Sequence, residues 1–469
     1  MMTLRKILFA AFVLIFASLC PWLIFHSLRA LNAGLAVIET VPRESTILLN
    51  GKEVAQQTPL TLPDLQTGTY LLQAQKSGYY PYEQSLVIRK GEATVLNPLV
   101  LIPDSSQVKK WGEGRYDTLI PLEGTSYSLV MNASTPAEVA LFCSEHKTFR
   151  SLFPEGFSEE ALKIERIFTV PGSPIVVMKI QQSRKEIFLR IVVSETTQKI
   201  QDITNLMADD VQEILWSADQ PEWLFAYRNE EIDVLNLKRN SKVANFADEW
   251  VGLGLGDGNV YGVNEEGQFF LKDYTGKILE TETTEFDFKK GFLGREKFVR
   301  IYPLASGSVL LHEIEGSLWQ SDLPNLLSDR VVRGLQISEE TGDVLVWTDH
   351  ELGIRQAIAP EDDARIFNEG WKIKWLVEGV PEMTSPAFVQ KGSQVLYGQG
   401  DEIFLVDLNQ DLTPRTVLTI LPGSAFHYVA GELIALDAES GQVISLPLGP
   451  QEEQPSKVKS LGVLLEDVL

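Results

Sequence analysis

Hydrophobic positions recur along most of this chain in short alternating runs broken by polar turns. From residue 128 onward a strand-like run, a short polar turn and a second run recur at 128–142, 175–190, 223–237, 260–272, 309–319, 344–354, 395–406 and 433–446. Alternation with a period of two puts every second side chain on one face, so each segment predicts an antiparallel hairpin. Patterns of helical period are nearly absent. Two other regimes precede the hairpins: a continuous apolar run at 7–25 and a set of short β-branched segments between residues 37 and 96.

The hairpins follow one another at steps of roughly 35 to 50 residues, the period of propeller blades. Stretches such as YGVNEEGQFFLKD and YGQGDEIFLVDL place an aromatic or aliphatic cluster before an Asn, Asp, Glu or Gly turn. Each reads as the middle hairpin of a blade whose inner strand borders the axis. A blade buries both faces only against neighbours, so the ring must close. Residues 461–465, beyond a linker at 450–456, are the expected closing strand, pairing near Leu119 to Leu122. The spacing is compatible with seven blades or eight. Two unrelated β domains are the rival architecture, and the even spacing argues against them. The blades resemble the broad WD40-like and TolB-type propellers, without the His and Trp-Asp signature.

Arg5 and Lys6 precede the uncharged run 7–25. As a helix, about nineteen residues rise roughly 28 Å, the thickness of a hydrocarbon core. This predicts a membrane anchor with a cytoplasmic amino terminus, although Arg29 weakens the charge asymmetry. Cleavage after Ala33 is the competing reading, but Leu31 suits it poorly. Leu19 before Cys20 disfavours lipidation.

After the anchor, 37–41 and 46–49 predict strands separated by Pro42 and followed by Asn50-Gly51, a dipeptide suited to a tight turn. Further strands are expected at 60–62, at 69–76 with Tyr70, Leu72 and Ala74 on one face, at 85–88 and at 93–96. Together they predict a small antiparallel unit of roughly seventy residues. Pro42-Arg43-Glu44-Ser45, Ile47, Asn50-Gly51, Thr58-Pro59-Leu60, Leu65, Gly68 and Gly78-Tyr79 occur in the order of the PEGA domain pattern, and residues 35–103 resemble that family. The resemblance implies a β-sandwich-like extracytoplasmic module of envelope and surface proteins, used for binding or spacing. Asn50, Gly51, Gly68 and Gly78 read as turn residues. Tyr79, Tyr80 and Tyr82 either fill the small core or stack on sugar rings. Lys52, Glu53 and Gln75 are expected on the surface.

Composition narrows the function. The 469 residues carry 41 lysines and arginines against 64 acids, a formal net charge of -23. Such a surface repels phosphate backbones, which argues against nucleic-acid binding. Cys20 and Cys143 alone cannot build a disulfide framework or a multi-cysteine metal site.

Reactive constellations are sparse. There is no G-x-S-x-G elbow, and His26, His146, His312, His350 and His427 are scattered. His312-Glu313 and Asp349-His350-Glu351 group histidine with carboxylates in neighbouring blades and read as solvated turns on one propeller face. Asp407-Leu408-Asn409-Gln410-Asp411 has a calcium-loop rhythm, but Leu412 replaces the required glycine. Gly252, Gly254, Gly256 and Gly258 with Asp257 read as a blade-to-blade turn, since no helix follows to bind phosphate. No pair of acids is nominated for glycoside hydrolysis.

The sequence therefore predicts an all-β chain with an N-terminal transmembrane helix, a small PEGA-like β-sandwich and a C-terminal seven- or eight-bladed β-propeller. The expected divisions are 1–33 for cytoplasmic stub and anchor, 34–103 for the sandwich, 104–118 for a linker and 119–469 for the propeller. The expected function is non-enzymatic: an envelope protein, held at the cell membrane, that presents a propeller to an envelope protein or cell-wall glycan. No catalytic, cofactor or metal residues are nominated. A propeller enzyme acting on carbohydrate or peptide is the alternative.

Overall fold

The computed structural model describes residues 33–448 except 97, 133–138, 154–161, 183, 195–197, 229–230, 244–245, 248–249, 257, 265–267, 284–298, 305–307, 314–315, 322–326, 339–340, 358–372, 382, 390–391, 393 and 409–412. The expected anchor at 7–25 and the expected closing strand at 461–465 lie outside the described residues. Among the described residues no helix is long and apolar enough to cross a membrane. The chain divides into two compact units, one running to Val108 and the other from Lys109 to Ser445.

The first unit is a small sandwich. Lys52–Gln57, Thr46–Leu49, Gly68–Gln75 and Tyr82–Ile88 form one sheet in that order, and Leu60–Gln66, Ala33–Ile38 and Ala93–Val95 form a second. A short pair, Thr40–Val41 with Leu99–Val100, completes it. Alternation sets the core: every second residue of Ala33–Ile38 is buried, and Ala36, Ile38, Ile47, Leu72, Ala74 and Leu86 pack together. The strand Lys52–Gln57 has no apolar alternation, because it is an exposed edge.

The turn residues of this unit have distinct jobs. Thr40, Ser45 and Thr58 are buried hydroxyls. Thr58 Oγ1 accepts from the Ser45 amide at 3.0 Å, while Ser45 Oγ donates to the Pro42 carbonyl at 3.0 Å. The threonine of the Thr-Pro pair thus satisfies backbone that has no strand partner. Asn50 accepts the Leu71 amide on its side chain at 2.7 Å and continues the ladder past the strand end. Gly78 has φ +82, and a Cβ there would lie 2.3 Å from Gln107 Nε2. Gly78→Val is therefore expected to destabilise this unit by about 1–3 kcal/mol. Lys52→Ala, Glu53→Ala and Gln75→Ala, all at exposed positions, should stay within about 0.5 kcal/mol of the parent. Calorimetric melting of each variant checks both.

The second unit is a ring. Among the described residues it contains eight four-stranded antiparallel blades in sequential order, six as separate sheets and blades 4 and 5 joined into one eight-stranded sheet. Blade 1 is Thr118–Pro121, Tyr127–Met131, Ala140–Cys143 and Thr148–Ser151. Blades 2 to 7 repeat the order, with first strands Leu162–Thr169, Glu213–Leu215, Trp250–Gly256, Val299–Pro303, Gly334–Ile337 and Met383–Val389. Blade 8 is His427–Val429, Glu432–Leu436 and Val443–Pro447, with a fourth strand supplied by Lys109–Trp111.

All eight expected hairpins are present, as the second and third strands of the blades. The axis is bordered instead by the first strands, which precede them. Those of blades 4 and 5 lie side by side in parallel, with Gly252 opposite Val299 and Leu253 opposite Arg300. Most middle strands are buried on both faces, while Gln268–Lys272 of blade 4 is half-buried. In Trp223–Arg228, Leu224 and Ala226 pack with blade 2 residues, while Phe225 and Tyr227 pack toward Trp250 and Val260 of blade 4. Each fully buried side chain of this kind contributes about 1.5–3 kcal/mol of transfer free energy.

Three expectations change. Thr118–Pro121 pairs with Tyr127–Met131, and closure is made by Lys109–Trp111 on Val443–Pro447. The segment 104–118, expected as linker, therefore holds a blade strand, and the ring begins at Lys109. Gly252, Gly254 and Gly256 lie in a strand, not a turn: the absence of side chains lets the first strand of blade 5 approach, and a Cβ on Gly254 would lie 2.1 Å from the Ile301 carbonyl oxygen.

Candidate functional site

Strand direction sorts the loops. The first strands run parallel around the axis, so the turns joining second to third strands all open on one face. The ends of the fourth strands and the starts of the first strands share that face. The blade 6 turn with Asp349, His350 and Glu351 lies there, among charged residues that the sequence did not single out.

Charged residues of this face form a lattice of separate, local ion pairs. Arg228 Nε meets Asp233 at 2.9 Å, Lys242 meets the same carboxylate at 2.9 Å, and Arg228 also reaches Glu231 at 2.8 Å. Burial opposes ionisation of Asp233, but hydrogen bonds from Lys242 and Arg228 outweigh it and hold the carboxyl below its usual range. Lys179 pairs with Glu186 at 2.6 Å and Glu165 at 3.6 Å. On blade 6, Arg333 grips Asp349 with two 2.8 Å bonds, and that grip holds the Asp349 carboxyl low. Arg330 pairs with Glu351 and stacks 4.2 Å over Trp375. Near the axis, Arg300 at the start of the blade 5 first strand reaches Glu213 on that of blade 3 at 2.8 Å.

The histidines do not join this lattice in one place. His350 sits in the blade 6 turn with Nδ1 3.1 Å from the Val380 carbonyl. His312 and Glu313, expected as solvated turn residues, are both only 3 % exposed. They end the apolar strand Val309–Glu313, and His312 Nε2 donates to the Val332 carbonyl of the fourth strand at 3.0 Å. His427 is buried on the first strand of blade 8, against Ser128. His146 lines a hollow between blades 1 and 2 with the buried free thiol of Cys143.

Burial pushes His312 down to about 4, with nearby Arg300 adding to the effect, and pushes His427 to about 4. A histidine depressed below its unfolded value stabilises the fold above about pH 6.5 and loses that contribution as pH falls toward the folded value. Each should withdraw about 3 kcal/mol by pH 4. Urea unfolding between pH 7.5 and 4 is expected to show the midpoint falling throughout this window.

The remaining candidates separate. Tyr82 is a core residue, Tyr79 is half-buried and Tyr80 is exposed, so the three form no common stacking platform. Asp407 ends the strand Glu402–Asp407 and accepts from Gln394 at 3.3 Å. Asn409 to Leu412 lie outside the described residues. Among the described residues no three His, Cys, Asp or Glu side chains gather as a metal site requires. Ser385, on the first strand of blade 7, holds φ +46 beside a bulge between Thr384 and Ala387, backbone strain at the axis.

Residues 33–100 match the PEGA domain. The chain is thus a PEGA domain followed by a β-propeller. No curated protein matches the sequence significantly. Solved structures with similar folds include BamB from Moraxella catarrhalis, at 12% identity and TM-score 0.42, covering 72% of this chain and 99% of that one. The computationally designed Ika8 protein aligns at 13% identity and TM-score 0.40, over 72% and 97% of the two chains. Hsv2 of Kluyveromyces lactis aligns at 10% and 0.36, over 62% and 93%. The ring itself rests on its own strand pairing.

Proposed function

We propose that this chain is a non-enzymatic protein of the cell envelope, anchored by residues 7–25, in which the PEGA domain spaces the propeller from the bilayer. The propeller binds a partner protein through the face that carries the turns between second and third strands. The anchor reading rests on the apolar run behind Arg5 and Lys6, and the envelope reading on the PEGA match.

The observation that carries the binding reading is two local groups of fixed charges on this face, Arg228, Asp233 and Lys242 on blade 3 and Arg333 with Asp349 on blade 6. Charges fixed by their neighbours present a patterned surface at little ordering cost, which favours specific and electrostatically steered association. Turnover calls for a base or nucleophile that is both reactive and open to substrate. Asp233, Glu186, Asp349 and Glu351 on this face are paired with cations, and His312 is enclosed.

Two tests follow. Protease added to intact spheroplasts should remove the propeller; full protection contradicts the topology. Glu231→Arg and Asp349→Arg reverse exposed charges of the lattice. Each should weaken in-cell crosslinking to the partner by about tenfold, with the melting temperature nearly unchanged. Undiminished crosslinking in both variants contradicts the assignment of this face.

A further inference from the structure

Blades 1 to 7 each carry a fourth strand that follows their third in the chain. Blade 8 instead borrows Lys109–Trp111, so the ring is held shut by three residue pairs inside blade 8 and by side chains, some in that blade and some across its junction with blade 1. On the outer side Trp111 Nε1 donates to Ser445 Oγ at 2.9 Å, and Lys147 pairs with Glu432. On the inner side His427 Nδ1 lies 2.9 Å from Ser128 Oγ, a bond joining residues 299 positions apart. The His427 ring is buried, and its Nε2 has no hydrogen-bond partner. The junction of blades 2 and 3 offers a built-in comparison: there Trp216 Nε1 donates to Ser173 Oγ at 2.8 Å, equally buried, from a ring that cannot titrate.

We propose that the junction of blades 8 and 1 is an acid-released seam, latched by the His427–Ser128 hydrogen bond. A neutral imidazole fits the closed seam. A second ring proton places a cation, with its Nε2–H unpartnered, beside the apolar packing of Leu119, Val130 and Ile434. An open seam hydrates the imidazole and accepts the proton.

Few other groups on the packed elements can mask the effect. Glu432, on the adjacent strand, is tied to Lys147, and Asp437, just beyond that strand, is tied to Lys110. Tyr428 is the neighbour in sequence, blade 1 brings Tyr127 and Cys143, and neither Thr118–Pro121 nor Met383–Val389 carries a charge. His312 bonds within its own blade, so its protonation loosens one sheet and leaves the seam uncrossed.

Hydrogen exchange on the full chain, corrected for the intrinsic effect of pH, tests this. Opening read from peptides covering 127–131 and 427–436 should rise about twentyfold between pH 7 and pH 5, with far less change at 175–182 and 213–216. His427→Gln, which keeps a partner for Ser128 without the charge, should abolish the rise, and Glu432→Gln should leave it. An equal rise at both junctions, or a rise lost in Glu432→Gln and kept in His427→Gln, overturns the proposal. Should His427→Gln not fold, histidine NMR of the parent chain decides. Seam opening must follow the His427 titration, and opening that follows another group overturns the latch.

Discussion

Replacing Gly254 with valine is expected to break the junction of blades 4 and 5 and lower propeller stability by about 3 kcal/mol or more. A side chain at this position meets main chain, not a movable side chain. Its first carbon would lie 2.1 Å from the Ile301 carbonyl oxygen and 2.7 Å from the Ile301 Cβ. Relief requires the strand Val299–Pro303 to retreat, which breaks the parallel pairing at Val299 and Arg300 and draws Arg300 away from Glu213. Gly258→Ala is the contrast. Gly258 has φ +72 but open space around its missing Cβ, so only backbone strain is added, costing about 1 kcal/mol. Calorimetric melting of both variants checks the ordering, and equal losses would remove the close-approach explanation.

Trp111→Ala is the second large effect, expected to cost about 3 kcal/mol. Three contributions are lost at once: packing with Leu119, Val130 and Phe142, the hydrogen bond to Ser445 and the cation of Lys147 held 5.5 Å over the ring. Trp111→Phe keeps most of the packing and loses chiefly the hydrogen bond, about 1 kcal/mol. Because this strand closes the ring, the alanine variant should also lose cooperativity. Exchange in Glu432–Leu436 and Val443–Pro447 should precede global unfolding, whereas a uniform loss across all blades would place closure elsewhere.

The middle of each blade was legible in the sequence because most second and third strands are buried on both faces and read as apolar hairpins. First and fourth strands were not. Glu213–Leu215 has three residues and Ser241–Lys242 two, too short for any period to register. Lys109–Trp111 reads as polar linker because an outer edge strand exposes its lysines. The apolar segment at 461–465, more conspicuous in the sequence, lies outside the described residues. Gly252, Gly254 and Gly256 were misjudged on composition although their spacing of two is that of a strand face.

The candidate site was legible only in part. The turn at Asp349 to Glu351 was placed correctly on the blade face, whereas His312-Glu313 looked like a turn because two polar residues end an apolar run. His312 bonds to the fourth strand at Val332, distant in sequence. The axial pair of Glu213 with Arg300 joins different blades, and no local pattern announces it. In the first unit the Thr-Pro signature was visible, but its hydroxyl network with Ser45 needed the fold.

The most direct test of partner binding through the turn face is site-specific photo-crosslinking in intact cells. A photoreactive residue is placed at Glu231 or at Asp349 on that face, and at Ile278 on an exposed outer strand as reference. The binding account predicts a discrete protein adduct from positions 231 and 349, absent from 278. Adducts of equal yield from all three positions, or adducts from 278 alone, would contradict it.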